Sequence, residues 1–119
     1  MILVVDDHLD SSDALIRLLE RHGHEAVAAN SGKAALDWLR QGRPSVIVLD
    51  LTLPDMNGFD LLRAIRADPA HSAVAVLIFS GDYSYETLQR ARQLGVKDVL
   101  VKGTVDWQAL YDTIAKYVA

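Results

Sequence analysis

The sequence predicts an α/β fold, in which a parallel five-stranded sheet is covered by helices on both faces. Short runs rich in Val, Ile and Leu alternate with segments of helical spacing along the whole chain. These runs are continuous rather than alternating, as expected for strands that are buried on both faces. Because parallel crossovers are right-handed, this (βα)5 pattern favours a doubly wound sheet of strand order 2-1-3-4-5.

The strands are predicted from the apolar runs themselves. Four runs are dense, and each leads directly into a polar residue, whereas the second is weaker. The five predicted strands cover residues 1–5, 25–29, 46–49, 76–79 and 99–101.

Capping residues predict where the first two helices begin and end. Asp10 or Ser11 is expected to cap the first helix, and Gly23 to end it. Ser31 is expected to cap the second helix, with Gly42 at its end. Apolar residues at helical spacing support both helices: Ala14, Leu15, Leu18, Leu19, Ala35, Leu36 and Leu39.

The other three helices are delimited mainly by residues that break helices. The third is expected to end near Asp68 and Pro69, because the residue before a proline disfavours helical geometry. The fourth is expected over residues 84–94, with Gly95 beyond its end. The fifth follows Thr104 and is expected to bury Trp107, Leu110, Ile114 and Val118.

Composition limits the classes of function. The 119 residues, half of them hydrophobic, fit one domain over residues 1–119, and no output domain is expected among them. A net charge of -4 argues against direct nucleic-acid binding, which needs a basic patch. The apolar runs are too short for a membrane span, and a cytoplasmic location is expected. The lack of cysteine excludes thiolate chemistry.

Polar residues follow four of the predicted strands at the point where each strand ends. Asp6 and Asp7 follow the first, Asp50 the third, Ser80 the fourth and Lys102 the fifth. The carboxyl ends of parallel strands form the ligand crevice of such sheets. The sequence therefore predicts three carboxylates, a hydroxyl and an ammonium group in one crevice.

Three converging carboxylates need a cation. At an effective dielectric of about 20, two unit charges about 4 Å apart repel by roughly 4 kcal/mol. Oxygen ligands suit Mg²⁺, with Mn²⁺ as an alternative, and Lys102 adds a second cation. Ser80 offers a hydroxyl, and the Gly81 amide is approachable because glycine has no side chain. These groups could stabilise a phosphoryl group in transfer to Asp50 as the nucleophile.

The whole chain resembles the receiver domains of two-component response regulators and is similar to the chemotaxis regulator. This resemblance implies a flavodoxin-like fold and a signalling domain rather than a turnover enzyme. The motifs that carry it stand in the family's order: Asp6 and Asp7, the stretch DLTLPDMNG over residues 50–58, Ser80 and Gly81, and Lys102.

The resemblance also implies roles for these residues. Asp50 would receive a phosphoryl group from the phosphohistidine of a sensor histidine kinase or a phosphotransfer protein. Ser80 and Lys102 would bind the phosphoryl oxygens. Asp7, Asp50 and the Thr52 backbone carbonyl would ligate magnesium, and Asp6 would act mainly through water.

Two positions depart from the family's pattern. Gly103 replaces the usual proline after the lysine, so we expect a trans Lys102–Gly103 peptide. Val99 replaces the usual aromatic residue three positions before the lysine, so we expect no aromatic switch.

The resemblance also implies an output surface. Output partners or a second copy would use the face of the fourth helix, fifth strand and fifth helix, with Tyr83 and Tyr85 as candidate contact residues.

Three alternatives remain open from the sequence. A haloacid-dehalogenase-like phosphatase would need a second acid where Thr52 stands. A flavodoxin-like cofactor binder would need a phosphate loop where Asp7 and His8 stand. A phosphorylation-independent interaction module is kept open by Val99 and Gly103.

The histidines are not expected to form a site of their own. His8 is expected at the rim of the acidic cluster. The other three have no paired spacing and are expected to be exposed: His22, His24 and His71.

Overall fold

The structure, a computed structural model, describes residues 1–81 and 84–118. One parallel sheet has the order β2-β1-β3-β4-β5, as predicted. Each predicted strand agrees with the observed one to within one residue at either end. The strands are β1 (Ile2–Val5), β2 (Ala26–Ala29), β3 (Val46–Leu49), β4 (Ala75–Ser80) and β5 (Asp98–Val101).

Helices cover both faces of the sheet. One apolar cluster joins the sheet to α1 and α5, and a second joins it to α2, α3 and α4. In the part of the chain that is described, no helix has the length and apolarity needed to cross a bilayer. The helices are α1 (Leu9–Arg21), α2 (Gly32–Leu39), α3 (Gly58–Ala67), α4 (Tyr85–Gln93) and α5 (Trp107–Ala115).

The strand register brings the polar strand ends together. Val5 pairs with Leu49, so that the next residues of β1 and β3 leave the sheet side by side. The Asp50 N–H donates to the Val5 carbonyl over 2.8 Å. At the other side, the Lys102 N–H donates to the Ser80 carbonyl over 2.9 Å. Parallel pairing thus aligns the loops that carry the acidic and basic groups.

The start of α1 differs from the prediction. Neither Asp10 nor Ser11 caps this helix, because both lie inside its first turn. The N-cap is His8, whose side chain makes no capping hydrogen bond. Its backbone N–H instead donates to Asp6 Oδ1 over 2.9 Å, so the acid at the end of β1 fixes the helix start. The prediction that Gly23 ends the helix is confirmed by its positive φ of 85°.

The burial of three other residues was predicted wrongly. His24 is half-buried rather than exposed, and its Nε2 lies 3.0 Å from the Tyr111 hydroxyl. Trp107 begins α5 and is 47% exposed, and its ring meets the core residue Phe79 edge-on. His71 is buried, since its Nε2 lies 2.8 Å from the Leu39 carbonyl at the end of α2. None of these three contacts can be inferred from helical spacing or from the number of histidines.

The turn after β5 depends on Gly103. This residue has a φ of 86°, in the left-handed region that favours glycine. No cis peptide occurs among residues 1–81 and 84–118, which confirms the predicted trans Lys102–Gly103 bond. Proline, whose φ is fixed near about −65°, does not fit this backbone.

Candidate functional site

The three predicted carboxylates and the lysine meet at the carboxyl ends of β1, β3 and β5. Lys102 Nζ donates to Asp6 Oδ2 over 2.7 Å and to Asp50 Oδ2 over 2.8 Å. Asp6 and Asp50 are buried, and the lysine side chain is 19% exposed. The ammonium group therefore neutralises part of the acidic cluster at the mouth of the crevice.

Both oxygens of Asp50 accept hydrogen bonds. Oδ1 accepts from Ser80 Oγ over 3.0 Å and from the Thr52 N–H over 3.1 Å, while Oδ2 accepts from Lys102. Burial acts to raise the pKa of Asp50, but the bonds and charge of Lys102, with the Thr52 and Ser80 donors, outweigh it. The pKa therefore lies below the ordinary 3.8, and the side chain is ionised at neutral pH.

Lys102 is held in its charged form. Burial acts to lower the pKa of its ammonium group, but the hydrogen bonds and charges of Asp50 and Asp6 raise it above the ordinary 10.5. The ammonium also lies 5.6 Å from the centre of the Phe79 ring, within range of a cation–π interaction. Phe79 in turn meets Trp107 edge-on, with ring centres 6.5 Å apart.

The donor set at the β1 end fits a divalent cation. Ligand atoms of Asp6, Asp7, His8 and Asp50 lie within 4.8 Å of one another. Asp7 Oδ1 is enclosed and accepts no hydrogen bond from the described residues. An enclosed carboxylate oxygen without a donor is costly, and a metal ion would satisfy it. His8 stands at the rim, as predicted, with Nδ1 3.2 Å from that oxygen.

A tight turn holds the Thr52 backbone beside Asp50. Thr52 forms an antiparallel bridge with Asn57, and the Gly58 N–H donates to the Leu51 carbonyl over 2.9 Å. A Cβ at Gly58 would lie 2.5 Å from the Leu51 Cα, so only glycine allows this close approach. The turn therefore fixes the loop that follows Asp50.

Asp55 is a residue whose role the sequence reasoning missed. Its two carboxylate oxygens accept the N–H groups of Gly32 and Lys33, each over 2.9 Å. These bonds lower the pKa of Asp55 below the ordinary 3.8. Ser31 caps α2, as predicted, and Asp55 satisfies two further N–H groups of the first turn. The loop after Asp50 is thus joined to the start of α2.

The other predicted residues lie on the β4 and α4 side. Gly81 is exposed directly after Ser80, and a Cβ there would meet nothing within 4 Å, so its backbone is open to approach. Tyr85 is 75% exposed at the start of α4. Tyr83 lies outside the described residues. Val99 is half-buried in the apolar cluster under α4 and borders an open cavity of about 290 Å³.

This arrangement of acids, lysine and hydroxyl coincides with a match to a known family. The family model of the response regulator receiver domain covers residues 2–115. The chain belongs to this family. It is therefore a receiver domain of two-component signalling systems, a class of phosphoacceptor signalling domains that histidine kinases phosphorylate.

Solved structures share the fold over almost the whole receiver domain. A response regulator receiver protein from Pseudomonas putida is 34% identical with a TM-score of 0.90, covering 97% of this chain and 94% of that one. The chemotaxis protein CheY4 of Vibrio cholerae, in crystals grown at low pH, is 26% identical with a TM-score of 0.90. That match covers 98% of this chain and 97% of that one.

The curated relatives differ in how much of their length the receiver domain represents. Protein PilH of Pseudomonas aeruginosa is 34% identical, with 99% of this chain and 97% of that protein covered. The sensory/regulatory protein RpfC of Xanthomonas campestris is 33% identical over 96% of this chain but only 16% of its own length. Receiver domains of this kind thus occur both in short proteins and within long ones.

Proposed function

We propose that Asp50 is the phosphoacceptor of this receiver domain and that residues 1–119 form that one domain. The observation that carries the proposal is the environment of its carboxylate. Lys102 and Ser80 both donate to it, and Asp6 and Asp7 stand beside it. A nucleophilic carboxylate needs to be ionised, and the lowered pKa of Asp50 satisfies this condition.

The proposed transfer is a displacement at phosphorus. A carboxylate oxygen of Asp50 forms a P–O bond while the P–N bond of a kinase phosphohistidine breaks. The leaving imidazole keeps the electron pair. Later, water attacks the phosphorus, the bond to Asp50 breaks, and inorganic phosphate leaves. The domain would thus catalyse its own phosphorylation and dephosphorylation without turning over an external substrate.

Lys102 and Ser80 are proposed to follow the charge during transfer. Both already donate to Asp50, and the lysine side chain is long and flexible. The ammonium and hydroxyl groups can therefore turn to phosphoryl oxygens when charge develops there. The exposed Gly81 backbone is proposed as a third donor, since no side chain blocks its approach.

The metal proposed for this site is Mg²⁺, with Mn²⁺ as an alternative. Asp7 and Asp50 would hold it directly with the Thr52 carbonyl, and Asp6 would hold it through water. When bound, the ion would neutralise charge on the phosphoryl oxygens. The enclosed oxygen of Asp7 supports this assignment. A structural neighbour of 25% identity and TM-score 0.83 is the Mn²⁺-bound form of response regulator Rcp1, with 97% of this chain and 88% of that one covered.

The proposed output surface is the face formed by α4, β5 and α5. Tyr85 supports it, because this large side chain is 75% exposed at the start of α4. The occupant would be a downstream partner or a second copy of the domain. A sensor histidine kinase or phosphotransfer protein would supply the phosphoryl group, and the domain would act in the cytoplasm, where ATP-dependent kinases work.

Intact mass spectrometry after incubation with acetyl phosphate and Mg²⁺ tests the proposal. The wild-type domain is expected to gain the mass of one phosphoryl group, and EDTA is expected to prevent this. Asp50→Asn should gain nothing. Asp60→Asn is the matched control, because Asp60 is an exposed acid paired with Arg63 away from the site, and it should be labelled normally.

Other outcomes would favour the alternative functions. A folded wild-type domain that stays unlabelled would indicate a phosphorylation-independent interaction module. Release of many phosphate ions per chain from added phosphate esters would indicate a phosphatase. Full labelling of Asp50→Asn would move the phosphoacceptor to another residue.

A further inference from the structure

His8 adds a nitrogen ligand to a site that otherwise offers oxygen atoms. Its Nδ1 lies 3.2 Å from Asp7 Oδ1, 3.4 Å from Asp6 Oδ1 and 3.8 Å from Asp50 Oδ2. The ring thus faces all three carboxylates from one side. Because the side chain is 63% exposed, it can adjust its position without disturbing the core.

Two hydrogen bonds fix the backbone of His8. The His8 N–H donates to Asp6 Oδ1, and the His8 carbonyl accepts the Ser12 N–H as α1 begins. Both backbone groups are therefore fixed, and only the side-chain torsions remain free. The anchored backbone places the ring at the mouth of the acidic cluster.

Lys102 and His8 occupy different parts of this cluster. Lys102 Nζ bonds to the Oδ2 atoms of Asp6 and Asp50. His8 Nδ1 instead faces the Oδ1 atoms of Asp6 and Asp7, including the oxygen that accepts no hydrogen bond. A cation placed between His8 and these oxygens does not require the lysine to leave its two partners.

We propose that His8 is a metal-selectivity residue, which ligates first-row transition metal ions and leaves Mg²⁺ to the oxygen ligands. This inference rests on the metal site of the proposed function. Imidazole suits Ni²⁺, Zn²⁺ and related ions, whereas Mg²⁺ prefers oxygen. With His8 the donor set becomes three carboxylates and one imidazole. The domain then binds Ni²⁺ more tightly than a carboxylate-only site does.

Metal titration of the whole domain tests the proposal by calorimetry with Ni²⁺ and, separately, Mg²⁺. His8→Phe should weaken Ni²⁺ binding about tenfold or more, as expected for a lost ligand contact, and change Mg²⁺ binding by less than about twofold. His8→Asn, which keeps a polar side chain, should lose Ni²⁺ affinity in the same way. His22→Phe is the matched control, because His22 is exposed at the far end of α1 and should leave both affinities unchanged.

Pulsed EPR of one equivalent of bound Cu²⁺, an ion that prefers imidazole, gives a direct readout of the ligand. The wild-type domain should show nitrogen coupling from an imidazole, His8→Phe should lose it, and His22→Phe should keep it. Equal Ni²⁺ affinity in the wild type and His8→Phe, or Cu²⁺ bound to the wild type without nitrogen coupling, would overturn the role of His8 while leaving the Mg²⁺ site intact. Failure of the wild type to bind Mg²⁺ would overturn the metal site itself, and the role of His8 with it.

Discussion

The two faces of the sheet differ in what they place beside the site. On the α1 and α5 face, Phe79 lies under the Lys102 ammonium and touches the half-exposed Trp107. On the α4 face, the family's aromatic position holds Val99 beside an open cavity. The Phe79 ring can shift together with a moving Lys102 ammonium group, whereas the Val99 side chain is stiff and has no ring that could change position.

In this receiver domain, the chemistry of the site and the transmission of the signal depend on different residues. The acids, lysine and hydroxyl meet in one crevice, but the α4 face has Val99 where the resemblance to the family implied an aromatic ring. From the sequence we expect the α4 response to begin in the segment 81–84, of which residues 82 and 83 lie outside the described residues. A second response should reach the α1 and α5 face through Phe79.

The largest effect is expected from Lys102→Met. Removing the ammonium leaves two buried carboxylates without their cation, which should lower the free energy of unfolding by about 3 kcal/mol in metal-free buffer. Denaturant unfolding measures this loss. Lys97→Met, which removes an exposed lysine between β4 and β5, is the control and should change stability little.

The pH dependence of this loss has a defined sign. The folded pKa of Asp50 is lowered, so its contribution is present above pH 3.8 and is lost as the pH falls through the folded pKa. The folded pKa of Lys102 is raised, so its contribution is present below pH 10.5 and is lost as the pH rises through the folded pKa. The difference between wild type and Lys102→Met should therefore be greatest between these limits. A loss that stayed constant into strong acid would contradict the ion-pair account.

The next largest effect is expected at Gly103, which stands where the family usually has proline. Gly103→Ala should cost about 1–2 kcal/mol, because a Cβ is disfavoured at a φ of 86° although no atom lies within 4 Å of it. Gly103→Pro should cost more. Gly81→Ala is the control, since Gly81 has open space around a Cβ and no positive φ. This variant should keep the free energy of unfolding of the wild type. A neutral Gly103→Pro in thermal unfolding would mean that this turn readily adopts another backbone.

A smaller effect is expected from Val99→Ala. Removing two methyl groups from a half-buried position should cost about 1 kcal/mol and leave the response to phosphorylation intact. Amide NMR shifts of α4 with and without phosphorylation measure the response. If Val99→Ala abolished those shifts while labelling stayed complete, Val99 would be the switch after all.

The smallest effect is expected in Trp107 fluorescence. When Lys102 turns toward a phosphoryl group, its distance from Phe79 changes, and the edge-on contact with Trp107 should change with it. In Trp38→Phe the emission of Trp107 should respond to phosphorylation. In Trp107→Phe the remaining Trp38, which belongs to α2 and is partly buried against the apolar cluster on the other face of the sheet, should not respond. The reverse pattern would show that the signal reaches the α2 face instead.

Much of the fold could be predicted from the sequence because buried parallel strands leave dense apolar runs. The polar residues that follow them, such as Asp50 and Lys102, mark the strand ends and hence the site. Residues 46–49 were predicted with both ends correct. The handedness of crossovers, together with the need to cover both faces of the sheet, favoured the observed strand order.

The remaining features depend on contacts between distant parts of the chain. His71 is buried because it meets the Leu39 carbonyl, 32 positions away in the sequence. Asp55 caps α2 from a loop that lies 22 residues beyond Lys33. The start of α1 is fixed by Asp6 rather than by a residue of the helix. No local pattern at these positions encodes which partner the folded chain brings to them.

Chemical trapping of the phosphorylated residue is the most direct test of whether Asp50 is the phosphoacceptor. The domain is phosphorylated with acetyl phosphate and Mg²⁺, treated with borohydride to reduce the acyl phosphate to an alcohol, and mapped by peptide mass spectrometry. If Asp50 is the phosphoacceptor, we expect homoserine at position 50 and unmodified aspartate at Asp6 and Asp7. Homoserine at either of those two positions, with Asp50 unchanged, would contradict it.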